Sequence, residues 1–272
     1  MQAGSPDVEI PAAHTIDWLA SAKDALCGIR LLDAAYREVA THYGIGGSVW
    51  SKKVHKAMRT EIFGAVQEHR KVVHPLFPLL CPSRPLHRRL ASAGKAAFLM
   101  QRFRCKRPCL RLTLERVSAF GSEVEEVVRN TPGPMLFSKR DAATLNYFLQ
   151  YPRGTMTGWR LRDDSPRLRG FAILNQRIEE GVKCGRIVDC FIDSRDPALW
   201  HAAFTELSQR LTEGGVDIIR SYSSTPWVAA ALRDSGFHPV REAEVTLRDP
   251  QRLVPRGIPW MLSMMEGDHA IL

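Results

Sequence analysis

Residues 216–240 read VDIIRSYSSTPWVAAALRDSGFHPV, and this pattern predicts a strand, a helix and a second strand. A β-branched run ends in polar residues, and a helix of small apolar residues follows it. Gly236 predicts a left-handed stop after the helix, and Phe237 is expected to pack the helix end onto a sheet. The stretch therefore predicts an α/β fold, although unrelated α/β proteins also contain this pattern.

The flanking sequence extends the pattern over residues 110–272. Alternating apolar residues predict strands, a DDSP turn predicts a hairpin, and Asp196 with Pro197 predicts the start of an amphipathic helix. Ser138 is the predicted N-cap of an earlier helix. The predicted order is β-α-α-β-β-β-α-β-α-β. Besides 216–240, its segments are 110–117, 121–130, 138–152, 155–163, 167–176, 183–193, 196–215 and 243–249.

The composition of this 272-residue chain is that of a soluble globular protein, with 44% hydrophobic and 25% charged residues. We find no apolar run near the roughly 20 residues that span a bilayer and no signal-peptide layout, so we expect a cytoplasmic protein. Its six scattered cysteines predict reduced thiols. Neither the cysteines nor the histidines have the spacing of a metal site, so we expect no metal.

The positive charge is concentrated in the N-terminal part. Residues 1–110 contain 17 Lys/Arg and 8 Asp/Glu, which accounts for the whole net charge of +9. Residues 50–107 contain 14 basic residues and two glutamates, Glu61 and Glu68. The change in composition predicts two domains: a basic, largely helical N-terminal region over 1–109, and an α/β domain over 110–272.

Helical spacing predicts helices over residues 15–40 and 49–72, with a third, basic and partly helical segment at 86–107. THYGIGGS (41–48) is rich in glycine and separates the first two. The basic stretch 50–107 has three interpretations: a surface for an acidic protein or substrate, a solvated helical face, or a nucleic-acid contact. Little aromatic interleaving and no nucleic-acid motif disfavour the last.

Short motifs in residues 110–272 resemble a GNAT (Gcn5-related N-acyltransferase) domain. RDAATLNYFLQYP (140–152) resembles RDxxYLNWRFxxxP, and the tail at 259–269, PWMLSMMEGDH, resembles WxLTxGDxD. Gly170-Phe171-Ala172 and Ser235-Gly236-Phe237 also match. The group that carries these motifs is the second half of double-GNAT proteins of bacterial polysaccharide or natural-product clusters.

This resemblance implies a mixed, mostly antiparallel central sheet flanked by helices. It also implies acyl-CoA, or a carrier-bound thioester, as co-substrate. Backbone N–H groups at Cys190, Phe191 and Ile192 are the expected donors to the thioester carbonyl. Ser194 and Arg195, in the loop before the next helix, and Ala198 at the start of that helix are the other expected co-substrate contacts.

Two positions depart from the GNAT pattern. The family binds pyrophosphate with a loop Q/R-x-x-G-x-G/A, in which glycines expose backbone N–H groups at a helix N-terminus. The same position here reads DSRDPA (193–198), which has no glycine and two carboxylates. Leu232 stands where many members have a proton-donating tyrosine. THYGIGGS (41–48) resembles the missing loop, and IFGAV and SRPLHRRLASAG resemble the strand and helix that would follow it. This part of the chain could thus be a remnant of a first GNAT half. The alternative is that the glycine-rich stretch only connects two helices.

The candidate catalytic residues lie within the fourth strand of this pattern and directly after the fifth. Asp189 is a candidate base, and the alternative is a strand-end carboxylate paired with Arg186 or Arg220. Tyr222 and Ser223 are candidate proton donors or substrate contacts, and the alternative is capping of the next helix. His201 is expected to be structural.

Two functions are consistent with these residues. The first is a GNAT-type acyltransferase acting on an amine or hydroxyl of a saccharide or natural-product intermediate. The second is a non-catalytic GNAT-like protein whose basic N-terminal region binds an acidic partner.

Overall fold

A nine-stranded mixed sheet forms the centre of the computed structural model. The structure describes residues 2–3, 8–14, 27–46, 56–80, 85–151, 155–165 and 167–266. The strands are β1 Gln2–Ala3, β2 Val8–Glu9, β3 Ala12–His14, β4 Thr41–Ile45, β5 Glu61–Val72, β6 Thr113–Val117, β7 Leu136–Phe137, β8 Thr157–Arg162, β9 Leu168–Glu179, β10 Val182–Ile192, β11 Ile218–Ser223 and β12 His238–Arg248. The helices are α1 Cys27–Glu38, α2 Leu86–Arg102, α3 Glu123–Arg129, α4 Ala142–Leu149, α5 Pro197–Glu213 and α6 Pro226–Asp234.

The sheet order is β3-β4-β12-β5-β11-β10-β9-β8-β6. Neighbouring strands are antiparallel except β3 with β4 and β10 with β11, which are parallel. Helix α5 makes the crossover that a parallel pair requires. The predicted mixed, mostly antiparallel sheet with flanking helices is confirmed.

Local sequence explains the elements that follow β10. Asp196 caps α5 by accepting a hydrogen bond from the backbone N–H of Ala198, and Pro197 occupies the first helical turn. After α6, Gly236 adopts a φ of +89°, and a Cβ there would lie 2.9 Å from the Phe103 carbonyl oxygen. Phe237 is fully buried. The predicted glycine stop and aromatic packing are therefore confirmed.

The helix expected over residues 49–72 is wrong for residues 61–72, which form strand β5. This strand pairs with β11 on one side and β12 on the other. The polar residues of β5 suggested the exposed face of a helix. Glu68 is instead buried in the sheet, where it pairs with arginines of β11 and β12. Residues 49–55 of that prediction lie outside the described residues.

The first-half interpretation correctly placed a strand at IFGAV and a helix within SRPLHRRLASAG. Thr41–Ile45, within the glycine-rich stretch, is also a strand and pairs with β12. The domain boundary at 109/110 stays a prediction. The central sheet itself runs across it, since β3, β4 and β5 come from the N-terminal region.

The N-cap of α4 is Asp141, whose carboxylate accepts a hydrogen bond from the backbone N–H of Thr144 at 2.8 Å. The predicted cap, Ser138, instead bonds Glu266. None of the helices in the described ranges has both the length and the apolar content needed to cross a bilayer.

Candidate functional site

Strands β10 and β11 separate soon after they pair. They are in register at Cys184–Ile218, Gly185–Ile219 and Arg186–Arg220. Beyond this, β10 carries a bulge between Ile187 and Asp189 on its β9 side. A pair of parallel strands that diverge in this way leaves an opening between them, which is the site where the resemblance places an acyl-CoA thioester.

The opening is filled by the chain itself. Met261, Leu262 and Ser263 line it together with residues of β10, β11, α5 and α6, and the space that remains is about 10 Å³. We call residues 259–266 the tail segment. Since ligand pockets have volumes of about 300–1,000 Å³, this space is too small for a pantetheine arm or an acyl group.

Backbone and side-chain hydrogen bonds hold the tail segment in place. The Ser224 hydroxyl donates to the Trp260 carbonyl at 2.6 Å and accepts from the Leu262 N–H at 2.7 Å. The Leu136 N–H donates to the Pro259 carbonyl at 2.9 Å, and the Met261 N–H donates to the Leu136 carbonyl at 2.7 Å. The segment is thus tied to β7 and to the end of β11.

A buried ion-pair cluster joins the tail segment to β10. The Arg140 guanidinium donates to Asp189 at 3.0 and 3.2 Å and to Glu266 at 2.9 Å, and all three side chains are essentially inaccessible. Ser138 and Ser263 complete the cluster by donating to the Glu266 carboxylate. Burial lowers the pKa of Arg140, but Asp189 and Glu266 outweigh burial and raise it above its ordinary value.

Asp189 therefore lies in a different environment from the one predicted. It is fully buried and bonded to Arg140, whereas the two sequence interpretations had it in an open cleft or paired with Arg186 or Arg220. Burial raises the pKa of Asp189, and the Arg140 guanidinium opposes that rise. The carboxylate is thus occupied by the Arg140 guanidinium and is not exposed in a cleft.

The other candidate catalytic residues do not join Asp189. The Ser223 hydroxyl lies 2.9 Å from Nε2 of His69, on the neighbouring strand β5. Tyr222 is buried, and burial followed by the charge of Glu68 raises the pKa of its phenol. The N-cap of α6 is Thr225, so helix capping is not the role of Tyr222 or Ser223.

The expected co-substrate contacts are also engaged within the protein. Cys190, Phe191 and Ile192 are buried and in register with β9. Burial raises the pKa of the Cys190 thiol well above its ordinary value, which keeps it protonated. Arg195 donates to the Pro134 carbonyl at 2.7 Å and stacks over Trp227, so its guanidinium is bound within the protein.

At the start of α5, side chains of Ser194 and Asp196 accept the backbone N–H bonds that a phosphate would accept in a GNAT loop. The Ala198 N–H donates to the Asp196 carboxylate at 2.9 Å, and the Asp196 N–H donates to the Ser194 hydroxyl at 3.0 Å. A carboxylate at this position already satisfies the helix dipole and repels a second anion. Leu232 is fully buried in α6. The residues present do not fit an acyl-CoA at this position.

Comparison with solved structures supports the fold. A GCN5-related N-acetyltransferase from Anabaena variabilis matches with a TM-score of 0.50 and 13% identity over 82% of this chain and 50% of that one. The chain has a GNAT fold. It spans about half the length of the Anabaena protein. No protein-family model and no curated protein matches the sequence.

Two further solved structures match with lower TM-scores. A GCN5-related N-acetyltransferase from Sphaerobacter thermophilus has a TM-score of 0.45 and 11% identity, over 81% of this chain and 64% of that one. N-myristoyltransferase of Saccharomyces cerevisiae, with bound myristoyl-CoA, has a TM-score of 0.48 and 10% identity, over 83% and 58%.

Sequence reasoning missed the ion pairs that Arg140 makes with Asp189 and Glu266, although Arg140 and Glu266 both lie in the motifs that carry the resemblance. The described residues contain no group of three or more His, Cys, Asp or Glu side chains arranged to hold a metal ion.

Proposed function

We propose that this protein is a GNAT-fold binding protein that does not transfer acyl groups at the β10–β11 opening. The observation that carries this proposal is the tail segment, which reduces the opening to about 10 Å³. The carboxylate cap of α5 supports it independently, because the cap takes the position where a phosphate would bind. Acyl transfer at this opening requires room for a thioester, and the chain itself occupies that room.

The partner that we propose is an acidic protein bound by α2 and the residues that follow it. Residues 85–107 contain seven Lys/Arg and no Asp or Glu. Apolar side chains are exposed on the same helix, with Leu86 60%, Leu90 56% and Phe98 57% accessible. Basic and apolar groups together suit an acidic protein surface better than a nucleic acid, whose phosphates require no apolar contact.

Calorimetry with acetyl-CoA tests the first part of the proposal. We expect no binding at millimolar acetyl-CoA, because the ligand has neither space nor phosphate donors at this site. Binding in the micromolar range that weakens when Leu262→Trp further fills the opening would contradict the proposal.

Charge reversal tests the second part, with poly-L-glutamate as the acidic probe. We expect Arg88→Glu with Arg104→Glu to weaken binding at least tenfold in fluorescence anisotropy. The matched control, Lys183→Glu with Arg129→Glu, makes the same change in net charge on other elements and is expected to weaken binding much less. Equal weakening by both pairs would show that net charge, and not the α2 surface, binds the probe.

A second candidate function is acyl transfer to an amine or hydroxyl of a saccharide or natural-product intermediate. The bulge in β10 at Ile187/Asp189, beside diverging parallel strands, favours it. Thiol release from acetyl-CoA, measured with a panel of aminosugars and amines, tests this candidate. Acceptor-dependent release above the rate without protein would support it over the binding proposal.

A further inference from the structure

A cavity of about 660 Å³ lies at the opposite end of β10 and β11 from the tail segment. It is bounded by α2, by the turn at Phe77–Leu80, by the β9–β10 hairpin and by the first residues of β12. Apolar side chains form part of its lining, including Val72, Leu99 and Ile218. Its volume is in the range of small-molecule sites.

Three cationic side chains line the same cavity: Arg70 of β5, Arg220 of β11 and Lys95 of α2. The two arginines are largely buried, with 29% and 23% of their side chains exposed. Within the described part of the chain, the Nε groups of both are buried without a hydrogen-bond acceptor. A buried N–H without an acceptor is costly, so these donors point to a missing anionic group.

The charges around the cavity do not balance. Its lining and the ion pairs attached to it contain six cations and three carboxylates. The cations are Arg70, Lys95, Arg177, Arg186, Arg220 and Arg241, and the carboxylates are Glu68, Glu179 and Glu180. Glu68 and Glu179 are shared among several arginines. The excess positive charge favours an anion at this site.

His238 adds a neutral polar group to the lining. Burial, followed by the charges of Arg70 and Lys95, lowers the pKa of His238 to about 4. At pH 7 its imidazole is therefore uncharged and has one N–H donor and one acceptor nitrogen. Cys184, also in the lining, stays a protonated thiol because burial raises its pKa.

We propose that this cavity binds a small amphipathic anion. Its phosphate or carboxylate group contacts Arg70, Arg220 and Lys95, and its apolar part packs against Val72, Leu99 and Ile218. The site differs in ligand from the acidic-protein surface proposed above. It shares Lys95 with that surface, but Arg70 and Arg220 belong to the sheet beneath α2. It also lies apart from the β10–β11 opening, with which it shares no lining residue.

Calorimetry with four probes tests this inference: hexyl phosphate, hexanoate, hexanol and inorganic phosphate. We expect hexyl phosphate or hexanoate to bind, and the tighter of the two identifies the headgroup. We expect hexanol and inorganic phosphate to bind at least tenfold more weakly, because each supplies only half of the contacts. A wild-type protein that binds neither anionic probe at about 10 mM, or that binds hexanol equally well, overturns the proposal.

Three variants locate the bound anion. Lys95→Glu is expected to raise the Kd of the anionic probe at least tenfold, because it reverses a charge that lines the cavity. Lys95 is exposed on α2, so this change should not disturb the fold. Ser92→Trp is expected to abolish binding by filling the cavity from α2. Lys183→Glu, a matched charge reversal outside the cavity, is expected to leave the Kd within about twofold of the wild-type value. Wild-type affinity in both folded α2 variants, checked by circular dichroism, overturns the proposal.

Discussion

Arg140 is a fully buried cation whose partners come from two distant parts of the chain, Asp189 in β10 and Glu266 in the tail segment. Each charge in such a cluster loses its hydration on folding, so it is stable there only while its partners remain. The guanidinium fork suits this role because it bonds both carboxylates in one plane. One residue therefore links the sheet to the last described turn of the chain.

Replacing Arg140 is expected to destabilise the protein strongly. Arg140→Met leaves two buried carboxylates without a cation, and we expect the free energy of unfolding to fall by about 3–5 kcal/mol in urea denaturation. Adding Glu266→Gln and Asp189→Asn to this variant removes both unpaired charges and is expected to recover part of the loss. A loss under about 1 kcal/mol in the single variant would contradict the buried cluster.

Two buried histidines are expected to make stability depend on pH. Burial lowers the pKa of both His69 and His238 from 6.5 to about 4, with positive neighbours adding to the effect. Below pH 6.5 the unfolded chain binds protons that the folded protein does not bind until about pH 4. The free energy of unfolding therefore falls as the pH is lowered through this window.

Between pH 7 and pH 5 we expect each of these histidines to reduce the free energy of unfolding by about 2 kcal/mol. Urea denaturation at the two pH values measures the change. The double variant His69→Gln and His238→Gln is expected to have a shallower dependence. An unchanged dependence would show that other groups control acid sensitivity.

At the scale of elements, the tail segment lies between β7 and the end of β11 and bonds both. Its backbone groups bond Leu136, and Ser224 serves as both donor and acceptor to it. The segment is therefore held by backbone bonds to β7 on one side and by the Ser224 hydroxyl on the other.

Ser224→Ala is expected to loosen the tail segment by removing both of these bonds. Two buried backbone groups then lack a partner, and we expect a loss of about 1–3 kcal/mol in the free energy of unfolding. Ser224→Thr keeps the hydroxyl and serves as the control. Faster hydrogen exchange at Met261 and Leu262 in the alanine variant, but not at residues of α3, would confirm a local effect.

The carboxylate cap of α5 gives a second prediction at this scale. Asp196→Ala removes the acceptor for the Ala198 N–H, and we expect a loss of about 1 kcal/mol in thermal or urea unfolding. Asp196→Asn keeps the acceptor without its charge, so most of the stability should remain. Equal losses in both variants would mean that charge, and not the hydrogen bond, stabilises the helix start.

At the scale of the whole molecule, β5 of the N-terminal region completes the sheet of residues 110–272 by pairing with both β11 and β12. It is a central strand, and Val66 within it is 1% exposed and paired with Ala243 of β12. Without β5, both β11 and β12 would have an unpaired edge inside the sheet. The predicted domain of residues 110–272 therefore contains an incomplete sheet when taken alone.

A fragment of residues 110–272 is consequently expected to lack cooperative unfolding, because its sheet has a gap at the position of β5. Co-expression with residues 1–109 is expected to restore a cooperative transition in circular dichroism. A fragment that unfolds cooperatively by itself would show that the boundary at 109/110 separates independent domains.

The sequence by itself determined most elements of residues 110–248, because these elements are specified locally. It missed β7, a strand of two residues between α3 and α4. The alternation around β6, the DDSP turn between β8 and β9, the Asp196–Pro197 start of α5 and the Gly236 stop are all short-range signals. The absence of a glycine-rich loop before α5 was also readable from the sequence, and so was the loss of the tyrosine at Leu232.

Only the tertiary structure decided the position of β5 and the state of the candidate site. Strand β5 pairs with segments about 150–180 positions later in the chain, and its polar residues satisfy buried charges there. Arg140, Asp189 and Glu266 are likewise far apart in sequence. Local pattern specifies strands and helices, but burial and ion pairing depend on which distant residues meet. For this reason the sequence predicted the fold, and the structure determined that the tail segment fills its opening.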